Sequence, residues 1–257
     1  MPRRPATTLF LHAGPGLNAH VERQVLGDRF PHIHFWDQPP VPQRAGAFRT
    51  LVDAAAAEVE RLAAANGGRV DLLAHSFGGH LAAALLERMP ERIGDCRLVS
   101  AIHDVPSGYL NLLRLMAEDP ATERGLRDDI TAFLAAHPAA RGDPARVWDY
   151  FGLIVREAGF VRRYWPDPSH YRRYTELAAT GPAWDGETFR NVLEDFLSDH
   201  GQAPQPVSDK PVRIELGGQD PILNLDHEIA LWRARFPRAD ITVRPGSGHF
   251  IHLEPYL

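Results

Sequence analysis

Short apolar runs alternate with helical stretches through the first hundred residues of this chain, and that rhythm restricts the fold more than any other feature. "TTLFLHAGPG" from Thr7 is a β-rich run that breaks on glycine and proline, and "HIHFWDQPP" from His32 has the same form. "AFRTLVDAAAAEVERLAAANGG" from Ala47 places Ala, Leu and Val at helical spacing and closes on Asn66, Gly67 and Gly68, as a glycine-capped helix does. "RVDLLAH" is another buried run, "SFGGHLAAALLERMP" a helix stopped by Pro90, and "DCRLVSAIH" a further strand. Strands and helices in this order predict a mostly parallel sheet of about six strands with helices on both faces, an α/β fold.

From about Asp104 to Asp209 the pattern changes. "GYLNLLRLMAEDP", "RGLRDDITAFLAAHP", "ARVWDYFGLIVREAG" and "GETFRNVLEDFLSDH" space their apolar residues three and four apart, with no convincing strand among them. "KPVRIELGGQDPI", "NLDHEIALWRARFP" and "ADITVRPGSGH" then restore strand, helix and strand. The expected division is a core of residues 1–103 and 209–257 with a helical cap at 104–208, rejoined through the Pro-rich stretch "QAPQPVSDKP" from Gln202.

Composition narrows the function. At 257 residues, 44% apolar and 24% charged, the chain has the make-up of a folded globular protein. The net charge is −5, and the arginines are scattered apart from "VRRYW" and "YRRYT", so no basic face for nucleic acid is expected. The N-terminal apolar run, Leu9 to Leu11, is far too short for a signal peptide core or a membrane span, which points to a soluble cytoplasmic protein. Cys96 stands alone, without zinc-ligand spacing around it. His75 and His80, and likewise His32 and His34, lack carboxylate or cysteine partners at useful spacing, so neither a metal nor a cofactor is expected.

The chemistry centres on "LLAHSFGGH", Leu72 to His80. Ser76 stands between a strand and a helix, with Ala74 two residues before it and Gly78 two after. A turn that sharp needs small residues at both places, and it lifts the serine hydroxyl clear of the sheet with the Phe77 N–H aimed at the same space. A serine there could also be an ordinary helix N-cap. A nucleophile would need a histidine as base and a carboxylate behind it. "GGQDPI" puts Asp220, and "GSGHF" puts His249, on glycine-rich loops that follow strands, where sites in open α/β sheets assemble. Asp104 in "AIHDVP" also follows a strand and remains the alternative acid.

"HAGPG", "AHSFGG", "GGQDPI" and "SGHF", in this order, resemble the α/β-hydrolase fold, whose members carry serine, acid and histidine in that sequence. The resemblance implies a serine hydrolase cleaving the acyl bond of a small-molecule ester, amide, thioester or lactone, with Ser76, His249 and Asp220 as its triad. "LHAGPG" is similar to the loop of the proline iminopeptidase-like branch, which by position makes the Gly14 N–H a second oxyanion donor beside Phe77, with His12 holding the loop. The chain departs from that branch at Ala13, Ala74, Phe77, Pro39 and Pro40. A lyase, an acyl transferase, an aminopeptidase and a non-catalytic binding module remain alternatives.

Candidate substrate contacts are His12, His75, Tyr164 and Trp165, the last two in the aromatic stretch "FVRRYWPDPSHYRRY" from Phe160. Against the pattern of the fold, leading antiparallel strands and a closing helix after His249 are missing, which predicts an all-parallel sheet with an exposed edge that a second subunit would cover.

Overall fold

The computed structural model describes residues 7–200 and 207–257, so the core of the linker from Gln202 and the N-terminal arginines lie outside the described residues. Among the described residues six strands form one sheet: β1 (Thr8–Leu11), β2 (Ile33–Trp36), β3 (Val70–His75), β4 (Ile93–Val99), β5 (Val212–Gly217) and β6 (Asp240–Arg244). Their order is β2-β1-β3-β4-β5-β6, and every neighbouring pair is parallel, as expected. From β1 the chain steps one way to β2, then back past β1 to β3 and onward. The order therefore reverses between β1 and β3, and the carboxyl ends of those two strands flank the crevice where such sheets bind ligands.

Leu9, Leu11, Leu72, Ala74, Leu98, Ile214 and Leu216 are buried on one face of the sheet, against α2 (Ala47–Ala65), α3 (Gly78–Arg88) and α9 (Leu225–Arg235). Phe10 and Phe35 point the other way, into a smaller cluster with Val21 and Leu26 of α1 (His20–Leu26), Trp165, Phe250 and Leu253. Strands apolar on both faces are what burial between two layers requires, and this explains why β1 reads as a continuous apolar run. The second layer covers only part of its face. Farther along, Arg97 and Arg244 both pair with Glu215, and Arg213 with Asp95, in a groove of about 380 Å³.

The glycine stop of α2 is as expected: Gly67 and Gly68 have φ of 72° and 98°, and the Gly68 N–H donates to Ala63 O. Between β4 and β5 the described residues form only helices: α4 (Val105–Glu118), α5 (Arg124–Ala136), α6 (Val147–Ile154), α7 (Pro168–Ala178) and α8 (Gly186–His200), with single 3₁₀ turns at Pro144–Arg146 and Phe160–Tyr164. The aromatic stretch from Phe160 thus divides in two, because Asp167 accepts from the Ser169 N–H and starts α7 afresh. This segment makes contact with the sheet-bearing part of the chain. α8 packs on α2, and both Asp195 oxygens accept N–H groups, of Gly46 and Phe48, that begin α2. Among the described residues no helix is long and apolar enough to cross a membrane.

Candidate active site

β3 ends at His75 and α3 begins at Gly78, leaving two residues to reverse the backbone. Ser76 takes up the turn with φ 54°, in the left-handed region that costs a residue with a Cβ about 1–2 kcal/mol. Its N–H donates to Val99 O at the end of the neighbouring strand, 3.1 Å away. Gly78 is demanded by close approach: a Cβ there would lie 2.3 Å from Leu11 O and 2.9 Å from His12 O. Ala74, fully buried, occupies the other tight place.

Asp220 follows β5, and His249 follows β6. The His249 Nδ1–H donates to Asp220 Oδ2 at 2.7 Å, and Asp220 Oδ1 accepts from the Ile222 N–H at 3.1 Å. With a carboxylate accepting at Nδ1, the proton sits there and Nε2 keeps its lone pair. The pair is closed from water, the side chains being 3% and 0% exposed. The histidine loop is wedged against β5, since a Cβ on Gly217 would stand 2.1 Å from Gly248 O.

After β1 the chain turns through Gly14, φ 44°. The His12 Nδ1–H donates to Ala13 O at 2.7 Å, and Nε2 accepts the Gln38 N–H at 3.2 Å, so one buried neutral ring ties together the loops that follow β1 and β2. Burial lowers the pKa of His12, favouring that neutral form. Gly16 packs on the start of α8, where the Asp185 N–H donates to Gly16 O at 2.9 Å.

Ser76, Phe77, Gly14 and His249 all line one cavity of about 360 Å³, roofed by Tyr109, Phe151, Phe160, Tyr164, Trp184 and Phe189 of the helical segment. A serine at a strained strand-to-helix turn, a carboxylate-paired histidine and a glycine-rich loop thus open on a single space.

The sequence profile described as the Alpha/beta hydrolase family matches residues 9–256. The chain belongs to this family. Solved structures similar to it include a proline iminopeptidase-related protein from Thermus thermophilus, at 24% identity and TM-score 0.64 over 95% of this chain and 82% of that one. Others are a proline iminopeptidase from Mycobacterium smegmatis, at 20% identity and TM-score 0.59 over 96% and 84%, and a mutant epoxide hydrolase from Bacillus megaterium, at 16% and 0.54 over 94% and 86%. At such identities the likeness speaks to the fold. No curated protein matches the sequence.

In this α/β-hydrolase, Asp104 stands elsewhere. It caps α4 by accepting from the N–H and hydroxyl of Ser107, at 3.0 and 2.7 Å, and it accepts from His227 Nε2 at 2.9 Å. The acid hydrogen-bonded to His249 is Asp220.

Of the four candidate substrate contacts only Tyr164 lines the cavity. His12 is buried at the base of the loop, as described above. Trp165 is 4% exposed and stacked on Phe250, with ring centroids 4.5 Å apart, because the residue that follows the 3₁₀ turn points toward the second core cluster. His75 lies fully buried behind the elbow, its Nε2–H donating to His249 O at 2.9 Å.

His75 also corrects a reading of the sequence: folding does bring it a carboxylate. Glu22, His75 and His252 offer ligand atoms within 4.8 Å of one another, and His252 Nε2 meets Glu22 Oε1 at 3.3 Å. Two imidazoles and a carboxylate form a donor set that suits a transition metal, and His75 Nδ1 and His252 Nδ1 are buried with no hydrogen-bond partner among the described residues. Burial first, then the neighbouring His252 and His249, hold the His75 pKa well below the usual range. Nothing in the local spacing signals this group, since Glu22 arrives on α1 and His252 on the loop after β6.

Proposed function

We propose that this α/β-hydrolase is a serine hydrolase acting on an acyl bond through a covalent acyl-enzyme. Ser76 Oγ attacks the carbonyl carbon while His249 Nε2 takes its proton. Asp220 keeps the imidazole in the tautomer whose Nε2 is free to do so and offsets the charge of the imidazolium that forms. The N–H groups of Phe77 and Gly14 receive the oxyanion, each worth about 3 kcal/mol of barrier if aligned with it. As the tetrahedral species collapses, His249 passes its proton to the leaving group. Water, deprotonated by the same nitrogen, then attacks the acyl-enzyme and releases the acid with Ser76 restored.

The observation that carries this reading is the convergence of Ser76, at φ 54°, and the Asp220-paired His249 on one cavity. Similarity in fold to a proline iminopeptidase, and to a protein described as a marine microorganism esterase, supports acyl chemistry. The test is labelling by a fluorophosphonate probe, read by peptide mass spectrometry beside Ser76→Ala, together with turnover of p-nitrophenyl acetate. Label on Ser76 alone, with turnover lost in the variant, is expected. A folded parent protein that takes no label, or a variant that hydrolyses as the parent does, would overturn the reading.

A further inference from the structure

We propose that the acyl group delivered to Ser76 is uncharged and apolar, and that it enters between Leu17, Val155 and Trp184. The proposal rests on the serine-hydrolase reading and deepens it. Among the described residues, no aspartate, glutamate, lysine or arginine lines the cavity that holds Ser76 and His249. Its polar side chains besides that pair are Tyr109, Tyr164, Tyr174 and Trp184, and burial raises the pKa of all three tyrosines, so their hydroxyls stay neutral. Such hydroxyls can bond one carbonyl or ether oxygen, but they cannot neutralise an ammonium.

Three acidic groups of the helical segment are committed elsewhere. Glu157 accepts from Arg162 at 2.7 Å and from Arg163 at 2.6 Å, Asp119 accepts from Arg163 at 2.6 Å, and Asp185 accepts from Thr188 at 2.6 Å. Asp220 is closed off behind His249, with its side chain 0% exposed. A substrate bearing an α-amino group would shed its water with no counter-charge to meet it, which is strongly unfavourable. The cavity therefore departs from what an aminopeptidase needs, despite the similarity in fold.

The mouth carries the same preference outward. Leu17, Val155 and Trp184 are 38%, 43% and 48% exposed, they are three of the five large apolar residues at the described surface, and all three line this cavity. Exposed apolar residues scattered singly need no explanation, whereas a group gathered around a cavity marks a binding surface. At interior packing density, about 360 Å³ holds roughly a dozen or more non-hydrogen atoms, enough for a medium-length aliphatic or an aromatic acyl group.

The experiment uses the full chain and p-nitrophenyl esters from acetate to octanoate, with hexanoate paired against 6-aminohexanoate as a matched neutral and charged substrate. We expect kcat/KM to rise about threefold per added methylene until the cavity is filled, and the neutral hexanoyl ester to exceed its charged counterpart by about 100-fold. In Val155→Ser and Trp184→Ser the ratio of octanoate to acetate kcat/KM should fall severalfold. If Ser76 takes the fluorophosphonate label but the chain-length profile is flat, or the aminohexanoyl ester is used as well as the hexanoyl ester, the apolar assignment fails while the serine reading stands. An unchanged ratio in both variants would overturn the placement of the mouth. Absence of label in the folded parent protein would overturn both.

Discussion

The backbone N–H of His249 donates to the carbonyl oxygen of Tyr164 at 2.9 Å. A loop that follows the last strand is thus held by the 3₁₀ turn of the helical segment, which approaches so closely that a Cβ on Gly248 would lie 2.2 Å from Tyr164 O. The segment that roofs the cavity is also part of what positions the candidate base.

Arg163 anchors that turn. It donates to both Glu157 oxygens at 2.6 and 2.8 Å, to Asp119 at 2.6 Å and to Thr122 at 2.9 Å. Arg163→Met should lower kcat/KM about 10- to 100-fold by letting Tyr164, and His249 with it, shift by a fraction of an ångström to an ångström. Arg163→Lys should not restore it, because one ammonium cannot serve three diverging acceptors in a planar fork. Steady-state kinetics with p-nitrophenyl hexanoate decide this, and parental rates in Arg163→Met would contradict it.

Asp220→Asn should reduce kcat by about 10⁴-fold with little change in fold. The asparagine carbonyl can still accept from the Ile222 N–H, which turns the NH₂ toward His249 Nδ1 and moves the ring proton to Nε2. An Nε2–H imidazole cannot take a proton from serine. Single-turnover acylation, compared with Asp104→Asn, measures the effect; an equal loss in the two variants would mean that Asp220 has no special role.

Strain at the elbow makes activity and stability move in opposite directions. Ser76→Gly should abolish activity yet raise stability by about 1 kcal/mol, since glycine adopts φ 54° without the Cβ clash. Gly78→Ala should destabilise by about 2–3 kcal/mol, because its Cβ meets the backbone of Leu11 and His12. Urea denaturation checks both, and a Ser76→Gly variant less stable than the parent would mean that the turn is unstrained.

Glu228 makes stability depend on pH. It is 1% exposed and accepts the N–H groups of His103 and Asp104 at 2.6 and 3.1 Å. Burial pushes its pKa up from 4.5 to about 8, and the charges of Asp104 and Asp220 add to the rise. A carboxyl whose folded pKa exceeds its unfolded one favours the native state fully below the unfolded value, and this advantage is lost as pH rises through about 8. Glu228→Gln removes the ionisation, so its Tm should decline less than the parent's between about pH 5 and pH 8. Parallel Tm curves for the two proteins would refute the claim.

Much of the fold was legible because strand and helix signals are local. Leu9–Leu11 and Leu72–Ala74 announce buried strands by their apolar runs, and Gly67 and Pro90 mark where helices stop. α1 and α7 were not legible. One is a seven-residue helix, and the apolar stripe of the other, Tyr171, Tyr174, Leu177 and Ala178, is broken by arginines and only half-buried against the second core cluster. Trp165 and Tyr164 are neighbours in sequence with opposite fates, core and cavity, and no periodicity separates them.

By itself, the sequence determined the alternation of strands and helices, the small residues around Ser76, and the placing of Asp220 and His249 on loops after strands. These follow from backbone geometry over a few residues. Only the tertiary structure decided that Asp220 rather than Asp104 meets His249, that Glu22 joins His75 and His252, and that, among the described residues, no Asp, Glu, Lys or Arg lines the space over Ser76. Each depends on side chains far apart in the chain arriving at one point, and packing, not spacing, sets that arrival.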